Sequence, residues 1–176
     1  MGKPKNPTPN NDWETPRYFY DPLHKKYRFD FDPCPIDWDG DPATDGLKID
    51  WGKRNFVNPP YSLKLKTAFV MKALEESRKG KLCILLLPVS TSTDLFKLHI
   101  EPMVKGKINF LHKRLKFAGI DKKGRYVNWE HGTRPLPPNV ETISNSGTFD
   151  SMLIELKRPP LKKRNRNDRK LLRPRT

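Results

Sequence analysis

Four adjacent residues have types that could do chemistry together: Asn58, Pro59, Pro60 and Tyr61. Consecutive prolines remove two backbone donors and hold φ near the polyproline value, so the tetrapeptide is a stiff bracket with an amide at one end and a phenol at the other. An asparagine carbonyl, the backbone carbonyls beside the prolines and a flat tyrosine face could together grip a planar ring that carries an amine. A nucleobase is such a ring. A plain Pro-Pro turn closing a strand would use the same residues.

A bracket needs a strand to deliver it and a helix to carry the chain away. The short apolar run Asn55-Phe56-Val57 precedes it, and Leu63 to Lys79 has the stripe of a helix in Thr67, Val70, Met71 and Leu74, closed by Gly80. Leu82 to Leu87 is a continuous apolar run of strand length, as expected for a strand buried on both faces of a parallel sheet, so residues 53–88 read as a βαβ unit. Upstream, Thr15 before Pro16 is a helix-start signal, with Phe19, Leu23 and Tyr27 recurring every four residues; Pro22 is expected to divide that helix, with Asp21 as a second cap. Phe29 to Asp32 reads as another strand, ended by Pro33. Asp32, Asn58 and Pro88 then each end a candidate parallel strand, and ligands of open α/β sheets bind outside such ends, so one cleft could collect all three.

Between the first two strands, Ile36 to Gly52 holds five aspartates (37, 39, 41, 45 and 50) and no helical period. Such carboxylates could accept hydrogen bonds from a cationic or hydroxylated ligand, or simply cap their own solvated turns. After Pro88, Ser90 to Thr93 offer caps for a helix to about Glu101, stopped by Pro102. From Lys107 the period shifts toward two, in 108–111, 114–117 and 149–156, which predicts antiparallel pairing at the edge of the sheet. Residues 118–147 form a long insertion in which Lys122, Lys123, Arg125 and Arg134 are interleaved with Tyr126 and Trp129, a pattern suited to phosphates and bases, although Trp129 could equally cover the core.

The 176 residues fit one domain, expected at 12–156, with a flexible arm at 1–11 and a basic disordered tail at 157–176. The net charge is +15, and the tail alone contributes +9, ten cations against Asp168. Such a balance points to nucleic acid ahead of an anionic membrane surface. No apolar stretch reaches the roughly 18 residues of a membrane span and no signal core opens the chain, so a cytoplasmic protein is expected. Cys34 and Cys83 lie far apart and the four histidines are scattered, which suggests neither a metal site nor a disulfide framework.

Asn58-Pro59-Pro60-Tyr61 after a strand resembles the catalytic motif of amino-group DNA methyltransferases. Together with Asp12-Trp13-Glu14-Thr15-Pro16, Phe29 to Cys34 and Leu85-Leu86-Leu87-Pro88, it resembles the small phage-type, Dam-like DNA adenine-N6 methyltransferases in order and approximate spacing. The resemblance implies a compact α/β, Rossmann-like fold with a mostly parallel central sheet and an antiparallel edge. It implies S-adenosylmethionine as cofactor, held by Trp13, Thr15, Pro16, Asp32, Pro33, Cys34, Asp50 and Asn58, with the Thr-Pro region against its methionine end. Catalysis would fall to Asn58, Pro59, Pro60 and Tyr61, with Tyr61 stacking on an adenine flipped out of the helix. DNA, expected to be double-stranded, would be bound by Arg114, Lys122, Lys123, Arg125, Tyr126, Trp129, Arg134, Lys162, Lys163, Arg164 and Arg166. A monomer acting in the cytoplasm, that of a host cell for a bacteriophage protein, completes the expectation.

The usual Gly-rich turn after the first strand is absent, and Asp32-Pro33-Cys34-Pro35 stands in its place. Adenine is preferred to cytosine only by the resemblance, since the bracket could hold either amine. An idle relative that merely binds nucleic acid is the alternative of a different class.

Overall fold

The computed structural model describes residues 13–157 apart from 37, 105–106, 122, 146 and 148. The arm at 1–11, most of the basic tail, and with them Lys122, Lys162, Lys163, Arg164 and Arg166, lie outside the described residues. Helix α1 (Arg17–Tyr27) is followed by strand β1 (Arg54–Val57), helix α2 (Leu63–Arg78) and strand β2 (Leu82–Pro88). A π-helical turn at Leu95–Ile100 runs into helix α3 (Glu101–Val104), and strand β3 (Ile108–Phe110) follows. Three two-residue strands, β4 (Gly119–Ile120), β5 (Tyr126–Val127) and β6 (Thr142–Ile143), precede strand β7 (Ser151–Leu156).

The fold is mixed α/β. Its main sheet has the order β1-β2-β7-β3, with β1 and β2 parallel and both contacts of β7 antiparallel. The expected first strand shrinks to a parallel bridge from Phe31 to Asn55, held by Asp30 N–H to the Arg54 carbonyl at 2.9 Å and Phe56 N–H to the Phe31 carbonyl at 3.2 Å. Pro33 has no amide to extend it. The mostly parallel sheet is therefore corrected to a mixed one. An apolar run such as Leu82–Leu87 marks burial on both faces but carries no information about the direction of its neighbour. Nor is the C-terminal strand an edge: β7 lies inside the sheet, its register pinned by alternating Met152, Ile154 and Leu156, and β3 takes the edge. Residues 114–117 form no strand, although Leu115 and Phe117 are buried.

Strand alternation sends β2 side chains to two cores. Cys83, Leu85 and Leu87 pack with Val57 and with Phe69, Val70, Ala73 and Leu74 of α2, while Ile84 and Leu86 pack with Phe29, Phe56 and the aromatic face of α1. Helices thus cover both faces of the sheet. The buried face of α2 is rotated from the one expected: Phe69 and Ala73 are inside and Met71 is exposed. Its end is as predicted, with Gly80 at φ +95°.

Pro22 does not divide α1, which is continuous and has no fully buried residue, so the carbonyl deprived of its amide partner lies on a half-solvated helix. Pro102 does not stop the third helix either. The wider π turn ends just before it, and the chain continues to Val104. Among the described residues no helix is long and apolar enough to cross a membrane.

Candidate active site

Asn58 follows β1 directly, and its amide is bonded at both its nitrogen and its oxygen. The Asn58 Nδ2 donates to the Trp13 carbonyl and to Thr15 Oγ1, each at 3.1 Å, and Asn58 Oδ1 accepts from the Tyr61 hydroxyl at 2.9 Å. Both amide hydrogens meet acceptors and the oxygen meets a donor, so a single orientation of the amide satisfies the network. Thr15 was expected to cap α1. The cap position is Pro16 with no side-chain bond, and the buried Thr15 spends its hydroxyl on Asn58 instead. Tyr61 packs edge-on against Phe149 at 5.2 Å and Phe117 at 6.2 Å between centroids. Burial pushes its hydroxyl far above the ordinary tyrosine pKa, so it remains a donor.

A cleft of about 250 Å³ opens beside this network. Of the residues singled out from the sequence, Trp13, Thr15, Asp32, Cys34, Asn58 and Pro60 line it. Asp32 and Asn58 end neighbouring parallel segments, in agreement with the rule that ligands sit beyond such ends. Pro88, the third expected strand end, is not among the lining residues, and neither are Pro16, Pro33, Pro59 and Tyr61. Asp32 Oδ1 accepts from the Cys34 amide at 3.0 Å, closing the turn that stands where a Gly-rich loop was expected. Burial, and then the Asp32 charge, push the Cys34 thiol well up, so it is a neutral wall of the cleft and no nucleophile.

Asp50 lies elsewhere, ion-paired at 3.0 Å to both Lys79 and Lys81. Among the described residues, the other loop aspartates serve local turns: Asp39 accepts from the Asp41 amide, Asp41 from Ala43 and Asp45 from Leu47, at 2.8–3.0 Å. What replaces the glycine-rich turn is a close approach. A Cβ on Gly46 would meet the Pro33 carbonyl oxygen at 1.8 Å, and the buried Trp51 donates its indole N–H to the Gly46 carbonyl at 2.6 Å.

The cleft also gathers residues that were not anticipated: Glu14, Arg17, Tyr20, Ile36, Phe56 and Thr133. Some had a signal. Phe56 shares a strand face with Asn58, and Arg17 and Tyr20 are three apart on α1, so both pairs were readable as periodicity. Thr133 had none, because it arrives from the distant insertion. Glu14 holds it there, accepting from the Thr133 amide at 2.7 Å, from the Thr133 hydroxyl and from Arg134 Nε at 3.4 Å, while its backbone bridges to Ala118.

The insertion is a small sheet, β4-β5-β6, whose aromatic residues are largely occupied. Trp129 is 7% exposed, with Tyr126 edge-on at 4.8 Å and the Arg134 guanidinium over its ring at 4.4 Å. Trp129 therefore covers a core here, the second of the two readings above. Arg125 pairs with Asp121 and Arg114 with Asp150, while the backbone amide of the exposed Lys123 also donates to Asp121. Among the described residues no cluster of His, Cys, Asp and Glu could hold a metal ion.

A family model described as DNA N-6-adenine-methyltransferase (Dam) matches residues 4–135. No curated protein and no solved structure matches.

Proposed function

The chain belongs to the DNA N-6-adenine-methyltransferase (Dam) family, and on that premise we propose that its cleft holds S-adenosylmethionine and receives an adenine rotated out of DNA. The family's activity makes the chain an enzyme that methylates adenine N6 in DNA. Asp32 and Asn58, which end two neighbouring parallel segments on one cleft, are the observation that carries the reading. In this reading residues 12–156 are a shortened Rossmann-like methyltransferase domain, monomeric on double-stranded DNA, with the insertion and the basic tail facing the nucleic acid.

The lining suits the cofactor chemically. The Asp32 carboxylate is an acceptor for an ammonium or a ribose, the Arg17 guanidinium at the start of α1 suits a carboxylate, and Tyr20, Ile36 and Phe56 offer apolar surface to a purine. The volume is close to the lower end, roughly 300 Å³, of small-molecule sites. When bound, the cofactor supplies a methyl group on a positively charged sulfur.

The chain's own residues then act on the base. A stacked adenine hides its amine, so flipping is needed to bring it to Asn58. Asn58 Oδ1 has one lone pair engaged by Tyr61 and a second free for an amine hydrogen, and the Pro59 carbonyl is the acceptor for the other. Two such bonds would draw the amine nitrogen toward tetrahedral geometry and free its lone pair for in-line attack on a sulfonium methyl, the C–S electron pair staying with the sulfur and the proton shed by the methylated nitrogen passing to water. No base with a shifted pKa is required, which agrees with the neutral Cys34 and Tyr61.

Asn58→Ala is expected to abolish transfer of labelled methyl to unmethylated DNA, read by nucleoside analysis, while DNA affinity stays within about threefold. Full transfer by that variant would end the proposal.

A further inference from the structure

An asparagine that presents its carbonyl to an amine faces a problem of its own: its carboxamide is nearly symmetrical in shape, and rotated by half a turn it would offer two donors to a group that is itself a donor. In this protein one neighbour, the Trp13 carbonyl, decides which way round the amide sits. The Trp13 carbonyl can only accept, so it tolerates the Asn58 NH2 at 3.1 Å and would repel the oxygen. Thr15 Oγ1 accepts the second hydrogen at 3.1 Å and the Tyr61 hydroxyl occupies one lone pair of Oδ1 at 2.9 Å; hydroxyls can donate or accept, so these two follow the sense that Trp13 sets and fix the amide in place. The Tyr61 ring stands edge-on to Phe117 and Phe149, which holds its hydroxyl at Asn58.

We propose that Thr15 and Tyr61 are positioning residues that hold the Asn58 carboxamide in the orientation set by the Trp13 carbonyl, with its oxygen as the acceptor, Tyr61 acting through its hydroxyl. This rests on the reading of Asn58 as the group that receives the adenine amine. It assigns Thr15 a role that neither a helix cap nor a cofactor contact would have. The role depends on the oxygen alone, so a serine should serve and a valine of the same shape should not.

Steady-state methyl transfer and cofactor calorimetry on Thr15→Ser, Thr15→Val, Tyr61→Phe and Asn58→Ala, each with a thermal melt, test this. Thr15→Ser is expected to keep kcat within about twofold, while Thr15→Val and Tyr61→Phe lose about tenfold or more in kcat with KM for DNA and cofactor affinity within about threefold. If Thr15→Val fails to fold, Tyr61→Phe against the parent carries the test, because it removes one oxygen and keeps the ring. Loss of cofactor affinity in step with kcat in Thr15→Val would make Thr15 a cofactor contact and overturn its positioning role. Wild-type kcat in both Thr15→Val and Tyr61→Phe beside an inactive Asn58→Ala would overturn the locking while leaving Asn58 in place. Full activity of Asn58→Ala would instead remove the reading on which the locking rests.

Discussion

The two asparagines around β1 show how position decides what one side chain does. Asn55, fully buried within the strand, donates its amide to the carbonyls of Gly52 and Leu82 and leaves its own oxygen without a partner. Asn58, one residue beyond the strand, also spends its hydrogens on the chain, but its oxygen faces a donor. The aspartates divide similarly. Asp32 lines the cleft, whereas the Asp50 carboxylate is 72% exposed between two lysines whose hydrogen bonds hold it below the usual carboxylate range. Asp32→Ala is therefore expected to weaken S-adenosylmethionine binding about tenfold or more by calorimetry, and Asp50→Ala to change it less than about twofold. The reverse order would move the cofactor away from the strand ends.

At the level of elements, the far end of α2 carries a second polar centre. Glu76 is fully buried and bonded to Lys79 at 2.7 Å, Lys81 at 2.6 Å and Lys72 at 3.1 Å, with the Trp51 amide at 3.4 Å. Burial alone would raise its pKa, but the lysine bonds together bring it down to about 2. A carboxylate whose folded pKa lies below its unfolded value stabilises the protein fully above the unfolded pKa, roughly 4.3, and loses that contribution as pH falls toward 2. Thermal melts should thus fall through that window in the parent and stay flatter in Glu76→Gln, which at pH 7 is expected to be less stable by about 3 kcal/mol. Equal slopes in the two proteins would show that Glu76 does not control the acid limb. The cluster ties α2 to the entry of β1, so it holds the helix that leaves the bracket and the strand that delivers it in one frame.

Across the whole molecule, charge and structure are unequally distributed. The tail at 157–176 carries +9 of the +15, outside the described residues except for Lys157, while the insertion's arginines are paired within the fold. Sequence-independent affinity for DNA is thereby expected to come from the tail more than from the insertion. Deleting residues 158–176 should weaken DNA binding at physiological salt and flatten its dependence on log salt, with methyl transfer to DNA retained at low salt. An unchanged slope would place the phosphate contacts on the folded domain. The insertion has a different link to the chemistry: Glu14 joins Thr133 and Arg134 to the segment whose Trp13 and Thr15 hold Asn58.

The local chemistry was legible in the sequence. Proline pairs announce their own stiffness, a continuous apolar run announces a buried strand, and a glycine after Lys79 announces a helix end, because each depends on neighbours along the chain. The placement of Asp32 and Asn58 on one cleft followed from the same local signals and the general rule for strand ends. What only the tertiary structure decided were pairings between distant segments. The direction of β7 against β2, the turning of Thr15 from helix cap to partner of Asn58, the removal of Asp50 to a lysine cluster and the arrival of Thr133 at the cleft all depend on contacts across many residues. A hydroxyl or a carboxylate bonds whatever donor or acceptor the fold brings within about 3 Å, and its own sequence neighbours do not say which that will be.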